Sequence, residues 1–197
     1  MWVLGPALTF DYDSRSAMAG LIQAVYGHAV LAGIALATHE FEAALYGTGL
    51  GQDIYTKEYR RLGHYHHLDA INTVRKHGSM KRLLDLGLIK DGIVHACLRR
   101  DIPLVLAGSI RDDGPLPGVI ADAYRAQDEM REAVRDATTV IALSTQLHAI
   151  ATGNMLPSYQ VFGGIVRPVY FYIVDISEFA LDKLANRGSL EVRLGPG

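Results

Sequence analysis

The residues best suited to chemistry follow directly after short apolar runs. The most distinctive segment is VLAGSIRDDGPLP at residues 105–117. Arg111 offers a guanidinium fork for a carboxylate or a phosphate, and Gly108 lets a ligand approach the backbone closely. Asp112 or Asp113 could act as a general base or hold an amine, because burial and a neighbouring like charge raise a carboxyl pKa. An Asx turn with a helix cap explains the two aspartates equally well.

Hydroxyls and a further carboxylate stand at similar junctions. Ser109 follows the same run as Gly108, and Ser144 and Thr145 end the segment IALST, where a helix is predicted to begin. Free N–H groups and hydroxyls at a helix start suit an anion such as a diphosphate, although a plain N-cap is an equal explanation. Asp175 closes another apolar run, where a carboxylate can accept ribose hydroxyls or simply cap a helix.

Glycines and histidines complete the set of candidates. Gly33 lies in AGIAL and could mark close approach of a ligand to the backbone, while His39 lies near a predicted helix start, where capping or packing is the commoner role. Three histidines, at positions 64, 66 and 67, lie in the long loop over residues 47–67. No HExxH or CxxC spacing accompanies them, so no metal site is predicted.

One common nucleotide-binding motif and one common nucleophile motif are missing from the sequence. The GxGxxG fingerprint does not occur between a strand and a helix, since GTGLGQ at residues 47–52 follows a predicted helix. The GxSxG nucleophile elbow is also missing. Any nucleotide site must therefore be of another type.

The elements that would position these residues alternate between strand and helix. Apolar runs predict strands over 3–8, 29–36, 102–107, 139–143, 169–174 and 190–194. Helices are predicted over 13–26 (with Asp13 or Ser14 as N-cap), 38–46, 68–76, 79–86, 91–100, 119–135, 146–152 and 178–185. This alternation predicts an α/β fold with a doubly wound, mostly parallel sheet.

Composition limits the protein class. At 197 residues and 49% hydrophobic content, a single domain is favoured, with two small lobes as the alternative. The net charge of -2, with both signs interleaved, argues against nucleic acid as a partner. Cys97 is the one cysteine, which excludes a disulfide framework and fits a packing role. With no long apolar run and no signal peptide, we expect a cytoplasmic protein.

Four segments resemble a known family. They are ALATHEFEAALYGTGLG, GHYHHLDAIN, VLAGSIRDDGPLP and TQLHAIATGNMLPSY, in this order along the chain. They are similar to the archaeal-type ornithine cyclodeaminase family, also described as lysine-oxoglutarate reductase/saccharopine dehydrogenase-like (LOR/SDH-like). The same family forms the C-terminal part of cyanobacterial arginine dihydrolase fusions.

The resemblance implies a Rossmann-like fold that binds NAD and converts ornithine to proline and ammonia. Arg111 is then expected to bind the substrate carboxylate, and Asp112 or Asp113 to bind the amine and transfer protons. The predicted cofactor-binding residues are Gly33, Gly108, Ser109, Ser144, Thr145 and Asp175. His39, His64 and Asn72 are expected in a second tier around the substrate pocket, and the protein is expected to form a homo-oligomer.

Two departures from the family pattern leave an alternative open. Ile34 stands in GIALA where the family pattern has asparagine, which could have hydrogen-bonded a ligand. The domain that precedes this region in longer relatives is also missing from the sequence. A regulatory NAD-binding module without turnover, or an incomplete domain that needs a partner, is therefore the second hypothesis.

Overall fold

The computed structural model describes residues 1–111, 114–177, 182 and 190–194. The strands are β1 (Trp2–Leu4), β2 (Val30–Gly33), β3 (Thr48–Gly49), β4 (Gln52–Asp53), β5 (Leu104–Ala107), β6 (Thr139–Leu143), β7 (Tyr159–Phe162), β8 (Ile165–Pro168), β9 (Tyr170–Val174) and β10 (Leu190–Leu194). The helices are α1 (Tyr12–Gln23), α2 (Ile34–Tyr46), α3 (His66–His77), α4 (Met80–Asp85), α5 (Ile93–Arg99), α6 (Ala123–Val134) and α7 (Leu147–Met155). Short 3-10 turns cover Pro6–Thr9 and Gly63–Tyr65.

Six strands form the main sheet in the order β10-β9-β6-β1-β2-β5. Every neighbouring pair is parallel, with Trp2 of β1 opposite both Val30 of β2 and Ile141 of β6. The chain runs outward from β1 to β2 and β5, then returns to the other side of β1 through β6, β9 and β10. This is the doubly wound strand order of dinucleotide-binding folds, and it confirms the predicted fold class.

The core lies on both faces of this sheet. One cluster packs the sheet against α1 to α5 and includes Leu4, Ile22 and Phe41, all at most 1% exposed. The other packs the opposite face against α6 and α7 and includes Val3 and Phe171. Each buried aliphatic or aromatic side chain of this size stabilises the fold by about 1.5–3 kcal/mol. Because Val3 and Leu4 point to opposite faces, β1 contributes to both clusters.

Element boundaries differ from the prediction where an apolar run crosses from strand to helix. The strand predicted over 3–8 ends at Leu4, because Pro6 has no N–H to donate to a sheet. The strand predicted over 29–36 ends at Gly33, and α2 begins at Ile34 rather than at Thr38. Ile34, Leu36 and Ala37 are buried on the helix, so the apolar pattern alone did not separate the two elements.

Other predicted boundaries also shift. Asp11, rather than Asp13 or Ser14, is the N-cap of α1, and its carboxylate accepts a hydrogen bond from the Ser14 N–H at 2.9 Å. The helix predicted from residue 119 begins at Ala123, after an N-cap at Asp122. The β7–β8 hairpin was not predicted. Residues 178–185 lie outside the described residues except for 182.

The predicted loop over residues 47–67 contains the short β3–β4 ladder, and the buried carboxylate of Glu42 holds its first part. Glu42 of α2 accepts hydrogen bonds from the Thr48 hydroxyl at 3.0 Å and from the Gly51 N–H at 3.0 Å. Its other oxygen lies 2.8 Å from Nδ1 of His39. Burial alone would raise the pKa of Glu42, but these hydrogen bonds outweigh burial and hold it below its usual range.

Cys97 is fully buried on α5, as its apolar neighbours predicted. Burial raises the pKa of this thiol to about 12, and the nearby Glu40 carboxylate adds to the shift. A thiol of this kind packs as a small apolar group. No helix in the described part of the chain combines the length and the apolarity that a membrane span needs.

Candidate functional site at the carboxyl ends of the strands

A crevice lies above the carboxyl ends of β1, β2 and β6. The strand order reverses between β1 and β6, and ligands of doubly wound sheets bind at such a switch point. The cavity there has a volume of about 300 Å³. Its lining residues are Leu4, Gly5, Pro6, Gly33, Ile34, Ala35, Leu36, Ser109, Arg111, Ser144, Thr145, Gln146, Leu147 and His148.

Two helices begin at this crevice. Helix α2 starts directly after Gly33, and α7 starts after Gln146; neither of these N-cap residues makes a side-chain cap hydrogen bond. The first-turn N–H groups of both helices therefore need acceptors from elsewhere. Because a helix N-terminus also carries partial positive charge, the crevice favours an anionic ligand group.

Two glycines permit the close approaches that shape the crevice. A Cβ on Gly5 would lie 1.7 Å from the Ser144 carbonyl oxygen, so no larger residue fits between the loops after β1 and β6. A Cβ on Gly33 would lie 2.7 Å from Cε1 of His148. Gly33 was predicted to allow the close approach of a ligand, and the group that lies against it here is the His148 ring. The role of Gly5 was not foreseen.

Ser144 and Thr145 line the crevice, and neither is the N-cap of α7, which begins after Gln146. The N-cap explanation for these two hydroxyls is therefore wrong. Ser144 has a left-handed backbone with φ of 53°, which is uncommon outside glycine and is typical of functional loops. Its N–H donates to the Val174 carbonyl at 3.0 Å, which ties the loop to β9.

Arg111 and Ser109 enter the crevice from the loop after β5. The Arg111 N–H donates to the Ser109 hydroxyl at 3.2 Å, and the Arg111 side chain has no ion-pair partner among the described residues. Gly108 and Ser109 also line a neighbouring cavity of about 450 Å³, which includes Ile34 and the apolar Leu116. Asp112 and Asp113 lie outside the described residues.

The remaining predicted residues do not line either cavity. Asp175 follows β9 and accepts a hydrogen bond from the Ser177 N–H at 2.9 Å, so it forms a local Asx turn. His39 is engaged with Glu42, and His64 and Asn72 are exposed. Among the described residues, no group of three potential metal ligands comes together.

His148 is a crevice residue that sequence reasoning did not select. It lies in the first turn of α7, and burial lowers its pKa below the usual value of 6.5. The signal that could have found it is its position in IALSTQLH, shortly after the end of a strand. A single histidine near a helix start is more often a packing residue, and only the strand order shows what it faces.

The amino-acid sequence matches a known family over nearly its whole length. The model for the family described as "Arginine dihydrolase ArgZ-like, C-terminal, Rossmann fold" matches residues 1–194. The chain belongs to this ArgZ-like family. The Rossmann fold that the sequence resemblance implied is thereby confirmed.

Named relatives of this ArgZ-like chain include an archaeal protein and two solved structures. Ornithine cyclodeaminase of Methanocaldococcus jannaschii is 48% identical over 94% of this chain and 41% of its own length. The crystal structure of a conserved LOR/SDH protein from Methanococcus maripaludis has a TM-score of 0.89 at 42% identity, and the match covers 98% of this chain and 55% of that chain.

AgrE of Nostoc is a bifunctional arginine dihydrolase/ornithine cyclodeaminase. The structure of its ternary complex with ornithine and NAD+ has a TM-score of 0.88 at 38% identity, and the match covers 100% of this chain and 28% of AgrE. The ArgZ-like chain thus spans less than half the length of the archaeal and cyanobacterial proteins that carry the cyclodeaminase name.

Proposed function

We propose that this chain is the dinucleotide-binding part of an NAD-dependent ornithine cyclodeaminase, which converts ornithine to proline and ammonia. The observation that carries the proposal is the crevice at the switch point, where two helices without side-chain caps begin beside Ser144 and Thr145. The relatives named ornithine cyclodeaminase, and the AgrE complex with ornithine and NAD+, support the choice of cofactor and substrate.

The donors around the crevice suit a dinucleotide. The N–H groups of α2 and α7 and the hydroxyls of Ser144 and Thr145 can surround a diphosphate. The neighbouring cavity, lined by Gly108, Ser109 and apolar side chains, suits a flat ring of the cofactor. A ribose contact from Asp175 stays a prediction, because this carboxylate lies outside both cavities.

The protein groups would bind and orient the amino acid beside the cofactor. When bound, NAD accepts hydride from the carbon that bears the α-amino group and later returns it to the cyclic imine. Between these events the distal amine attacks the first imine and ammonia leaves, so that proline forms and the cofactor is unchanged overall. Arg111 is the proposed clamp for the substrate carboxylate, and Asp112 or Asp113 the proposed proton carrier.

A second candidate function is NAD binding without turnover, in a regulatory domain or in one that needs a partner chain to complete the pocket. One observation favours it. Ile34 lines both cavities with an apolar side chain at the start of α2, where the family pattern has asparagine.

Calorimetric titration with NAD+, followed by a proline-formation assay with ornithine, tests the proposal. Binding with proline formation would support the cyclodeaminase, whereas binding without turnover would favour the second candidate. Failure to bind NAD+ would contradict both.

Arg111→Ala tests the role of the arginine. We expect it to weaken ornithine binding about ten- to a hundredfold, because a charge-assisted pair is lost, while NAD+ binding changes less than about threefold. Isothermal titration with each ligand measures both effects. The matched control is Arg125→Ala, since Arg125 is exposed on α6 and lines neither cavity. Equal weakening of the two ligands would contradict the assigned role.

A further inference from the structure

His148 reaches across the switch point of the sheet. Its helix α7 follows β6, yet its ring lies against Gly33 at the end of β2, and β1 lies between those two strands. The ring is therefore placed above the carboxyl end of β1. In doubly wound folds the diphosphate of a dinucleotide crosses the sheet at this place.

Within the described part of the chain, both ring nitrogens of His148 are free for a ligand. They lie 3.4 Å (Nε2) and 3.6 Å (Nδ1) from the position that a Cβ on Gly33 would occupy, so the ring rests on the glycine backbone. Neither nitrogen has a hydrogen-bond partner among the described residues. The ring lines the same cavity as Gly5, Ser144 and Thr145. An imidazole that is half buried in a cavity and lacks a protein partner is suited to donate to a bound group.

The surroundings favour the neutral form of this ring in the free protein. Burial lowers its pKa, and the positive ends of the dipoles of α2 and α7 act in the same direction. Arg111 is the one charged side chain among the described lining residues. Strands β1 and β2, which pack against α7, carry no titratable side chain, and the charged residues of α6 are exposed.

We infer that His148 donates a hydrogen bond to the diphosphate of the bound dinucleotide. The inference rests on the proposed function and deepens it, because it assigns a ligand group to a residue that the family resemblance did not single out. A diphosphate carries negative charge that favours the imidazolium form of an adjacent histidine. Binding of the dinucleotide should therefore draw a proton onto the ring near pH 6.5.

Titration calorimetry in two buffers of different ionisation enthalpy measures this proton. For the wild-type chain at pH 6.5, NAD+ binding should take up a fraction of a proton. His148→Gln keeps one N–H donor, so we expect no uptake and a few-fold loss of affinity. His148→Ala removes the donor, and we expect a loss of about tenfold or more. Circular dichroism of each variant checks that it is folded.

The matched control is His28→Gln. His28 is exposed and precedes the opposite, amino end of β2, so its replacement should leave both proton uptake and affinity unchanged. Unchanged proton uptake in His148→Gln, or wild-type affinity in His148→Ala, would overturn the inference and leave the proposed function intact.

Titration with inorganic pyrophosphate distinguishes a failure of the inference about His148 from a failure of the proposed function. If the wild-type chain does not bind NAD+ but binds pyrophosphate in a manner that depends on His148, the proposed function fails and the diphosphate contact stands. If it binds neither, both are overturned.

Discussion

At the scale of single residues, the shape of the crevice depends on two glycines, which have no side chain, as well as on the side chains that line it. Gly5 and Gly33 have ordinary backbone angles, so neither is needed for a left-handed conformation. They are needed because a larger residue does not fit. A Cβ added to either glycine would lie closer than van der Waals distance to an atom of the β6–α7 region. Sequence reasoning selected Gly33 as a glycine within the apolar run that leads into a predicted helix. It missed Gly5, whose neighbour Ser144 is distant in the chain.

Gly5→Ala should therefore destabilise the fold and distort the crevice. The new Cβ would meet a backbone oxygen at 1.7 Å, so the two loops must move apart, at a cost of about 3 kcal/mol. Urea unfolding followed by circular dichroism measures this loss. The matched control is Gly20→Ala on the exposed side of α1, where a Cβ meets nothing within 4 Å; we expect a gain of about 0.5–1 kcal/mol. Equal stability of the two variants would contradict the steric explanation.

At the scale of elements, helix α2 connects the crevice to the rest of the fold. Its first turn lines the cavity, while two buried carboxylates farther along hold other segments. Glu40 accepts from Nε of Arg15 at 2.7 Å and from the Val94 N–H at 3.2 Å, which joins α2 to α1 and α5. Glu42 holds the loop after the helix. The sequence showed an apolar helix here, but the partners of both carboxylates come from distant segments.

Glu42→Gln should lower stability at neutral pH by about 2 kcal/mol, because an amide cannot replace a carboxylate that accepts several hydrogen bonds. The pKa of Glu42 is lower in the folded protein than its ordinary 4.5, so the unfolded chain binds the proton more readily. The carboxylate's contribution is therefore fully present above about pH 4.5 and is lost as the pH falls through the lower, folded-state pKa.

Urea unfolding at pH 7 and pH 4 measures this effect, and the difference between wild type and Glu42→Gln should shrink at the lower pH. Glu132→Gln is the control, since Glu132 is an exposed residue of α6 that pairs with the exposed Arg135, and we expect a change within about 0.5 kcal/mol at either pH. A difference that grows on acidification would contradict the assignment to the Glu42 carboxylate.

At the scale of the whole molecule, one sheet joins both core clusters. Val3 and Leu4 of β1 belong to different clusters, so neither face can lose its packing without disturbing the central strand. We therefore propose that the chain is a single domain, as its length predicted, rather than two lobes. Trp2, the one tryptophan, lies on the same strand and donates from Nε1 to the Tyr26 carbonyl at 2.7 Å, so it reports on the centre of the sheet.

We expect the chain to unfold in a single cooperative transition. Urea denaturation followed by Trp2 fluorescence should coincide with the transition seen by far-ultraviolet circular dichroism. A fluorescence transition at a lower urea concentration than the loss of helix would mean that two lobes unfold separately. The expected homo-oligomer stays a prediction, which sedimentation at several protein concentrations would test.

The sequence by itself determined the fold class and identified five of the fourteen described residues that line the crevice, namely Gly33, Ser109, Arg111, Ser144 and Thr145. Apolar runs followed by helices predict parallel strands. Because the carboxyl ends of parallel strands share one edge of the sheet, the sequence predicts that Arg111, Ser144 and Thr145 lie near one another. The tertiary structure decided which residues face each other across that edge. His148 meets Gly33, and Gly5 meets Ser144, because β1 lies between β6 and β2. Strand order arises from packing between distant segments, so it cannot be predicted from local patterns of polarity.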